Sequence, residues 1–171
     1  MEPFFNFLLS VIDKFYPLFV VPASTEAIRL RFGRYVKPYK PGTYFRIPFG
    51  IDEIDIEPVK VRTVDLEEIS IETSDRIGMA CSIALRFSVV DVVQALIETE
   101  DYETSMMTDV TGIVSAWINE HDYESLSIST LIKGCQPKIK LMAPRWGCKV
   151  EELLVNTLVK HEAHRVMGIS F

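Results

Sequence analysis

From residue 25 to residue 89 apolar and polar positions largely alternate, and beyond that point apolar residues recur every three or four. Period two sends successive side chains to opposite faces of a strand; a period near 3.6 lays one apolar stripe along a helix. Residues 25–32 show the first pattern, with Ala27, Arg29 and Arg31 on one side and Ile28, Leu30 and Phe32 on the other. Gly33 ends this half-buried strand, and Pro38, Pro41 and Gly42 predict a turn before a short strand over 43–47. Pro48 and Gly50 break the chain again, and looser alternation follows over 51–57, 59–65 and 66–72. Thr73-Ser74-Asp75-Arg76 predicts a hairpin turn in which Asp75 bonds nearby backbone amides. The clearest strand comes next. Ile77, Met79, Cys81, Ile83, Leu85, Phe87 and Val89 share one face, and small residues with Arg86 share the other.

Asp91 is placed to cap a short helix over 92–97. A longer helix is predicted over 102–119, with Met106, Val110, Ile113, Val114 and Trp117 as its buried stripe. Another follows over about 129–143, where Pro137 predicts a late start or a kink. Trp146-Gly147 closes it, and residues 148–158 read as a final strand. A mainly antiparallel sheet packed against two or three helices makes this an α+β domain.

Residues 3–21 stand apart, because Phe4, Phe5, Phe7, Leu8, Val11, Ile12, Phe15, Leu18 and Phe19 form an apolar run broken by Asp13, Lys14 and Pro17. A spanning helix needs about 20 predominantly apolar residues. Two charges at mid-depth oppose spanning, since each costs several kcal/mol there. A start at Met1-Glu2, with no small-residue cleavage site after the run, is unlike a signal peptide. Two readings stay open: residues 3–16 form an amphipathic membrane anchor, or the same face packs against a neighbouring subunit or the domain core.

Charge sharpens the first reading. Arg29, Arg31, Arg34, Lys37, Lys40 and Arg46 lie between residues 27 and 51 without an acid among them. Beside anionic lipid each contributes about 1 kcal/mol. From residue 65 to residue 124 acids dominate, opposed only by Arg76 and Arg86. The overall charge of -6 argues against nucleic acid as a partner. Cys81, Cys135 and Cys148 are odd in number and lack C-x-x-C spacing, so reduced, buried thiols and a reducing compartment are expected.

Four motifs in order carry a resemblance. The 25–32 strand ends in Phe32-Gly33-Arg34, and Pro41-Gly42-Thr43-Tyr44-Phe45-Arg46-Ile47-Pro48-Phe49 follows. Thr73-Ser74-Asp75 then precedes the long alternating strand, and Trp146-Gly147-Cys148-Lys149-Val150 precedes the last one. Together, from about residue 20 to residue 159, they resemble the stomatin/prohibitin/flotillin group, the band-7 or SPFH domain. The resemblance implies a non-enzymatic, membrane-bound scaffold that assembles side by side into rings or cages. It places the N-terminal segment in the bilayer from the cytoplasmic side, and it suggests lipid contact for Phe45, Pro48 and Phe49, with core packing as the alternative. Family members continue into a long Ala/Glu-rich helix, whereas here only residues 159–167 follow as one short helix. Assembly is therefore expected to rest on the domain itself, or to be smaller.

Catalytic patterns are weak. His161-Glu162-Ala163-His164 has its second histidine at i+3, where a zincin helix needs i+4. Cys148 with His161 forms a conceivable nucleophile pair, yet nothing local lowers the thiol's pKa. Glu98, Glu100, Asp101 and Glu103 read as a solvated loop and helix start. No cofactor, metal or catalytic residue is expected.

The expected organisation is a membrane-associated segment over 1–22, a band-7-like domain over 23–159 and a short helix or tail over 160–171. Its expected partners are the lipid bilayer, copies of itself, and a client such as a membrane protease. The rival expectation is a soluble component of a large assembly, a virion or cage protein, with the apolar N-terminus buried between subunits.

Overall fold

A computed structural model describes residues 17–160. Nine strands and two long helices order as β1 Leu18–Val21, β2 Thr25–Arg31, β3 Arg34–Tyr39, β4 Gly42–Phe45, β5 Asp52–Pro58, β6 Arg62–Asp65, β7 Ile69–Glu72, β8 Gly78–Val89, α1 Tyr102–Asn119, α2 Ile128–Met142 and β9 Cys148–Lys160. The α+β expectation holds. The described chain divides into two compact units, one reaching Lys60 and including Val89–Glu100, the other made of Val61–Ser88 and the residues from Asp101 onward.

In the first unit, β1 pairs antiparallel with β4, and a separate sheet runs in the order β3-β2-β5. Alternation along β1 and β4 turns Phe19, Val21 and Tyr44 inward, where they meet Ala27, Tyr39 and Ile54. Phe19 stands edge-on to Tyr39 at 5.4 Å, and Tyr39 to Tyr44 at 4.6 Å. Such edge-to-face pairs add about 0.5–1.5 kcal/mol beyond the area they bury. Residues 34–39, expected to lead into a turn, are instead a strand. β3 is an edge strand, where a proline such as Pro38 is tolerated, and a register shift against β2 bends it further. Residues 18–21, expected within the N-terminal segment, are likewise a strand of this unit.

The expected helix over 92–97 begins as predicted, with Asp91 Oδ1 accepting from the amides of Val93 and Gln94 at 3.0 and 3.1 Å. It widens at once into a π turn, Gln94–Glu98.

In the second unit, β7 and β6 pair with successive stretches of β8, and β9 pairs with β8 as well. The register advances by one residue between β6 and β7, so the two behave as one strand interrupted by a bulge. The hairpin turn forms where expected. Thr73 donates its amide to Ile77 O at 3.0 Å, Arg76 takes a positive φ of 62°, and Asp75 Oδ1 accepts the Tyr123 amide at 3.2 Å. Helix α1 packs on α2 and β7, and α2 on β9. Its fully buried residues include Met106, Val110, Val114 and Ile118; Ile113 is only half-buried.

Helix α2 starts at Ile128 because Ser127 accepts the Thr130 amide while Thr130 Oγ1 accepts the Ser127 amide, a reciprocal cap. Pro137 sits inside the helix on its exposed side, where the carbonyl it leaves unbonded can meet water.

Candidate lipid-facing surface of the first unit

The alternation that turns Phe19 and Tyr44 inward turns Leu18, Val20, Thr43 and Phe45 outward onto one face of the β1–β4 ribbon. Val20 is 62% exposed and Phe45 69% exposed; Leu18 is half-buried. An outward apolar face is unfavourable in water unless something covers it. Phe45 is thereby excluded from the core, and so is Phe49. Of the residues expected to meet lipid, Phe19 must be corrected: at 9% exposure it fills the core against Tyr39. Phe4, Phe5, Phe7, Leu8, Val11, Ile12 and Phe15 lie outside the described residues.

Two Phe-Gly turns expose further aromatic side chains of the same unit. Arg31 pairs with Arg34, which closes a two-residue hairpin over Phe32 and Gly33, with φ of 49° and 72°. Phe49 and Gly50 repeat the conformation with φ of 69° and 73°. Hairpins of this type favour Asn-Gly, because both central residues need positive φ. A phenylalanine there costs about 1–2 kcal/mol. Neither Phe recovers that cost by burial, since Phe32 is 75% exposed and Phe49 66% exposed. Strain kept at an exposed aromatic tip points to a role outside the fold.

Asp52 positions these elements. Its carboxylate is fully buried, accepting from Arg31 Nε at 2.7 Å and Nη2 at 3.3 Å and from the Ile47 amide at 2.8 Å. Arg29 Nε lies 3.7 Å away, and Arg29 Nη2 donates to the Phe45 carbonyl. The hydrogen bond from Arg31, the Ile47 amide and the two guanidinium charges together hold the Asp52 carboxyl below the usual carboxylate range against the opposing effect of burial. Asp52 thus ties the loop carrying Phe49 to the β2 arginines.

This changes the expected headgroup set. Arg29 and Arg31 turn toward Asp52, and Arg29 also lies 4.8 Å over the Tyr39 ring. Their charge is largely met within the fold. Arg34, Lys37 and Lys40 are exposed, with Lys37 Nζ 4.9 Å from the Tyr39 ring centroid; Arg46 is half-buried. Val20, Phe32 and Asp52 went unassigned in the sequence. The placement of Arg29 and Arg31 on one face of β2 was the signal that an acid on the neighbouring strand would meet them.

The residues considered for chemistry take structural places. Burial pushes the Cys81 and Cys135 thiols up to about 11. Cys148 is buried and donates to the Trp146 carbonyl at 3.4 Å. Asp101 caps α1 through the Thr104 amide at 3.0 Å, and Glu103 pairs with Arg62 at 2.8 Å. His161 and His164 lie outside the described residues. Among the described residues no group of three or more His, Cys, Asp or Glu could hold a metal. No described helix is long and apolar enough to cross a membrane.

The profile of the SPFH domain / Band 7 family matches residues 19–163, and the chain belongs to that family. It is also 25% identical over 141 residues to an uncharacterized protein of Methanocaldococcus jannaschii, a match covering 75% of this chain and 65% of that relative. The chain therefore spans less than two thirds of the relative's length.

Proposed function

We propose that this SPFH-domain chain is a non-enzymatic, membrane-associated scaffold that self-associates and organises client proteins at the cytoplasmic face of a membrane. One observation carries the reading: the first unit exposes Val20, Phe45, Phe32 and Phe49, the last two in strained turns, and also exposes Arg34, Lys37 and Lys40. Apolar tips enter the boundary between headgroups and acyl chains, and exposed cations favour anionic headgroups. Residues 3–16, with Phe4, Leu8, Val11, Ile12 and Phe15 at helical spacing, supply a further anchor. Buried free thiols suit the reducing cytoplasmic side. The acid-rich stretch 65–124 offers a surface for a basic client, a membrane protease among the candidates.

Flotation of the full chain on vesicles, with and without anionic lipid, tests this reading. Binding that weakens about tenfold or more in a Phe32→Ser/Phe45→Ser/Phe49→Ser variant supports it, since three large aromatic contacts are removed. A full chain that stays off both kinds of vesicle and forms closed particles in solution would instead identify a soluble assembly component, its apolar face buried between copies.

A further inference from the structure

The sheet β3-β2-β5 carries opposite charge on its two edges. β3 and the residue after it hold Arg34, Lys37 and Lys40 with no acid. β5 holds Asp52, Glu53, Asp55 and Glu57 with no base. Each of these strands pairs only with β2 among the described residues. Asp52 is used internally, whereas Glu53 and Asp55 are exposed, as are Arg34 and Lys37. Apolar side chains flank both sets: Tyr35 at 39% and Val36 at 43% exposure on β3, and Ile56 at 44% on β5.

We infer that the β5 edge of one copy binds the β3 edge of the next, in a head-to-tail contact between copies of this chain. The inference rests on the self-association proposed above and specifies the surfaces that perform it. The charges decide the symmetry. Two β3 edges, or two β5 edges, would bring like charges together, which disfavours a two-fold dimer through this sheet. The unlike pairing is heterologous, so every bound copy leaves one edge of each sign open, and a row or ring grows.

Strand register sets how the copies meet. Arg34 and Lys37 share a face with Arg31 and Arg29, while Glu53 and Asp55 lie opposite Leu30 and Ile28 on the other face. The contacting edges therefore overlap like shingles, the cation-bearing face of one β3 covering the acid-bearing face of the next β5. Pro38 and the register shift in β3 interrupt a continuous backbone ladder. Side chains, not added strand hydrogen bonds, make the contact. An acidic edge close to anionic headgroups would be repelled unless covered, and the neighbour's β3 covers it.

The test uses the full chain in non-ionic detergent, where lipid charge plays no part, with mass read by sedimentation velocity. One variant reverses the basic edge, Arg34→Glu/Lys37→Glu, and a second reverses the acidic edge, Glu53→Lys/Asp55→Lys. Each alone should associate about tenfold or more weakly than the unchanged chain. Mixed in equal amounts they should reassociate, because each supplies the edge its partner needs. Association of either variant at the unchanged level, or a mixture no larger than its parts, overturns the inference. So does an unchanged chain that fails to associate. If a reversal prevents folding, a salt titration of the unchanged chain decides: dissociation as ionic strength rises toward about 0.5 M supports an ionic contact, and constant mass overturns it. Vesicle flotation of the Glu53→Lys/Asp55→Lys variant, which leaves the apolar tips and Arg34, Lys37 and Lys40 in place, separates the two proposals, since loss of association with retained flotation leaves the membrane reading intact.

Discussion

The amide of Phe32 donates to the carbonyl of Ile51 at 3.0 Å, and this bond joins two turns that are far apart in sequence. Each turn is a Phe-Gly pair with positive φ at both residues, and each presents its phenylalanine to solvent. The bond ties the backbone of the first tip to the residue that follows the second.

Substituting asparagine at both tips should separate stability from function. Asn suits positive φ far better than Phe, so Phe32→Asn and Phe49→Asn should each stabilise the fold by about 1 kcal/mol. Chemical denaturation measures that gain. The same double variant should bind vesicles more weakly, since it removes the apolar tips. Lower stability together with unchanged vesicle binding would show that the phenylalanines serve packing.

Asp52 should behave as the electrostatic centre of the first unit. Asp52→Asn keeps the shape but removes the charge that Arg31 and Arg29 face, and should cost about 2 kcal/mol at neutral pH, below the full cost of breaking a buried pair because Arg31 is 39% exposed. The pH dependence has a definite sign. The folded carboxyl titrates below its unfolded value of about 3.9, so its contribution is complete above that value and is lost as pH falls through the folded one. The unchanged chain should therefore lose more stability than Asp52→Asn between about pH 5 and pH 2. Equal acid sensitivity in the two would remove Asp52 from this role.

Much of this architecture was legible in the sequence wherever pattern and turn chemistry agreed. The β8 alternation, the Thr73–Asp75 turn and the span of α1 all follow from residues within one element. What the pattern missed depends on distant partners. Pro38 and Pro41 suggest breaks and so hide β3, yet an edge strand needs no amide on its open side. Phe19 looked like part of an anchor because its neighbours are apolar, and only pairing with β4 shows that it faces Tyr39. Arg29 and Arg31 looked like surface cations until β5 brought Asp52 between them. Helix α2 begins slightly earlier than its apolar pattern and Pro137 suggest, because the Ser127–Thr130 cap fixes its first turn.

The thiols offer a probe of local opening. Cys81 and Cys135 are fully buried and raised to about 11, and Cys148 is 1% exposed. At pH 8 the thiolate fraction of the first two is about one in a thousand. A disulfide reagent should therefore leave all three unmodified in the native protein and titrate them in denaturant. Fast modification of any one without denaturant would show that its surroundings open freely.

Gly134 of α2 lies directly against Trp117 of α1. A Cβ built there would lie 2.1 Å from Trp117 Nε1 and 2.7 Å from the adjoining ring carbon, far inside any real contact. The indole has little room to retreat, because it is 8% exposed and stacked on His121 at 3.9 Å, whose Nδ1 is 2.7 Å from the Trp117 carbonyl oxygen. Alanine is ordinarily better than glycine inside a helix by about 1 kcal/mol. Here the clash should reverse that sign, and Gly134→Ala should destabilise by about 1–3 kcal/mol, as over-packing does elsewhere. Trp117→Phe removes the Nε1 atom in the way, so the double variant should recover part of the loss. A double-mutant cycle from denaturation curves measures that coupling. Strictly additive effects would mean that α1 and α2 do not meet at this pair.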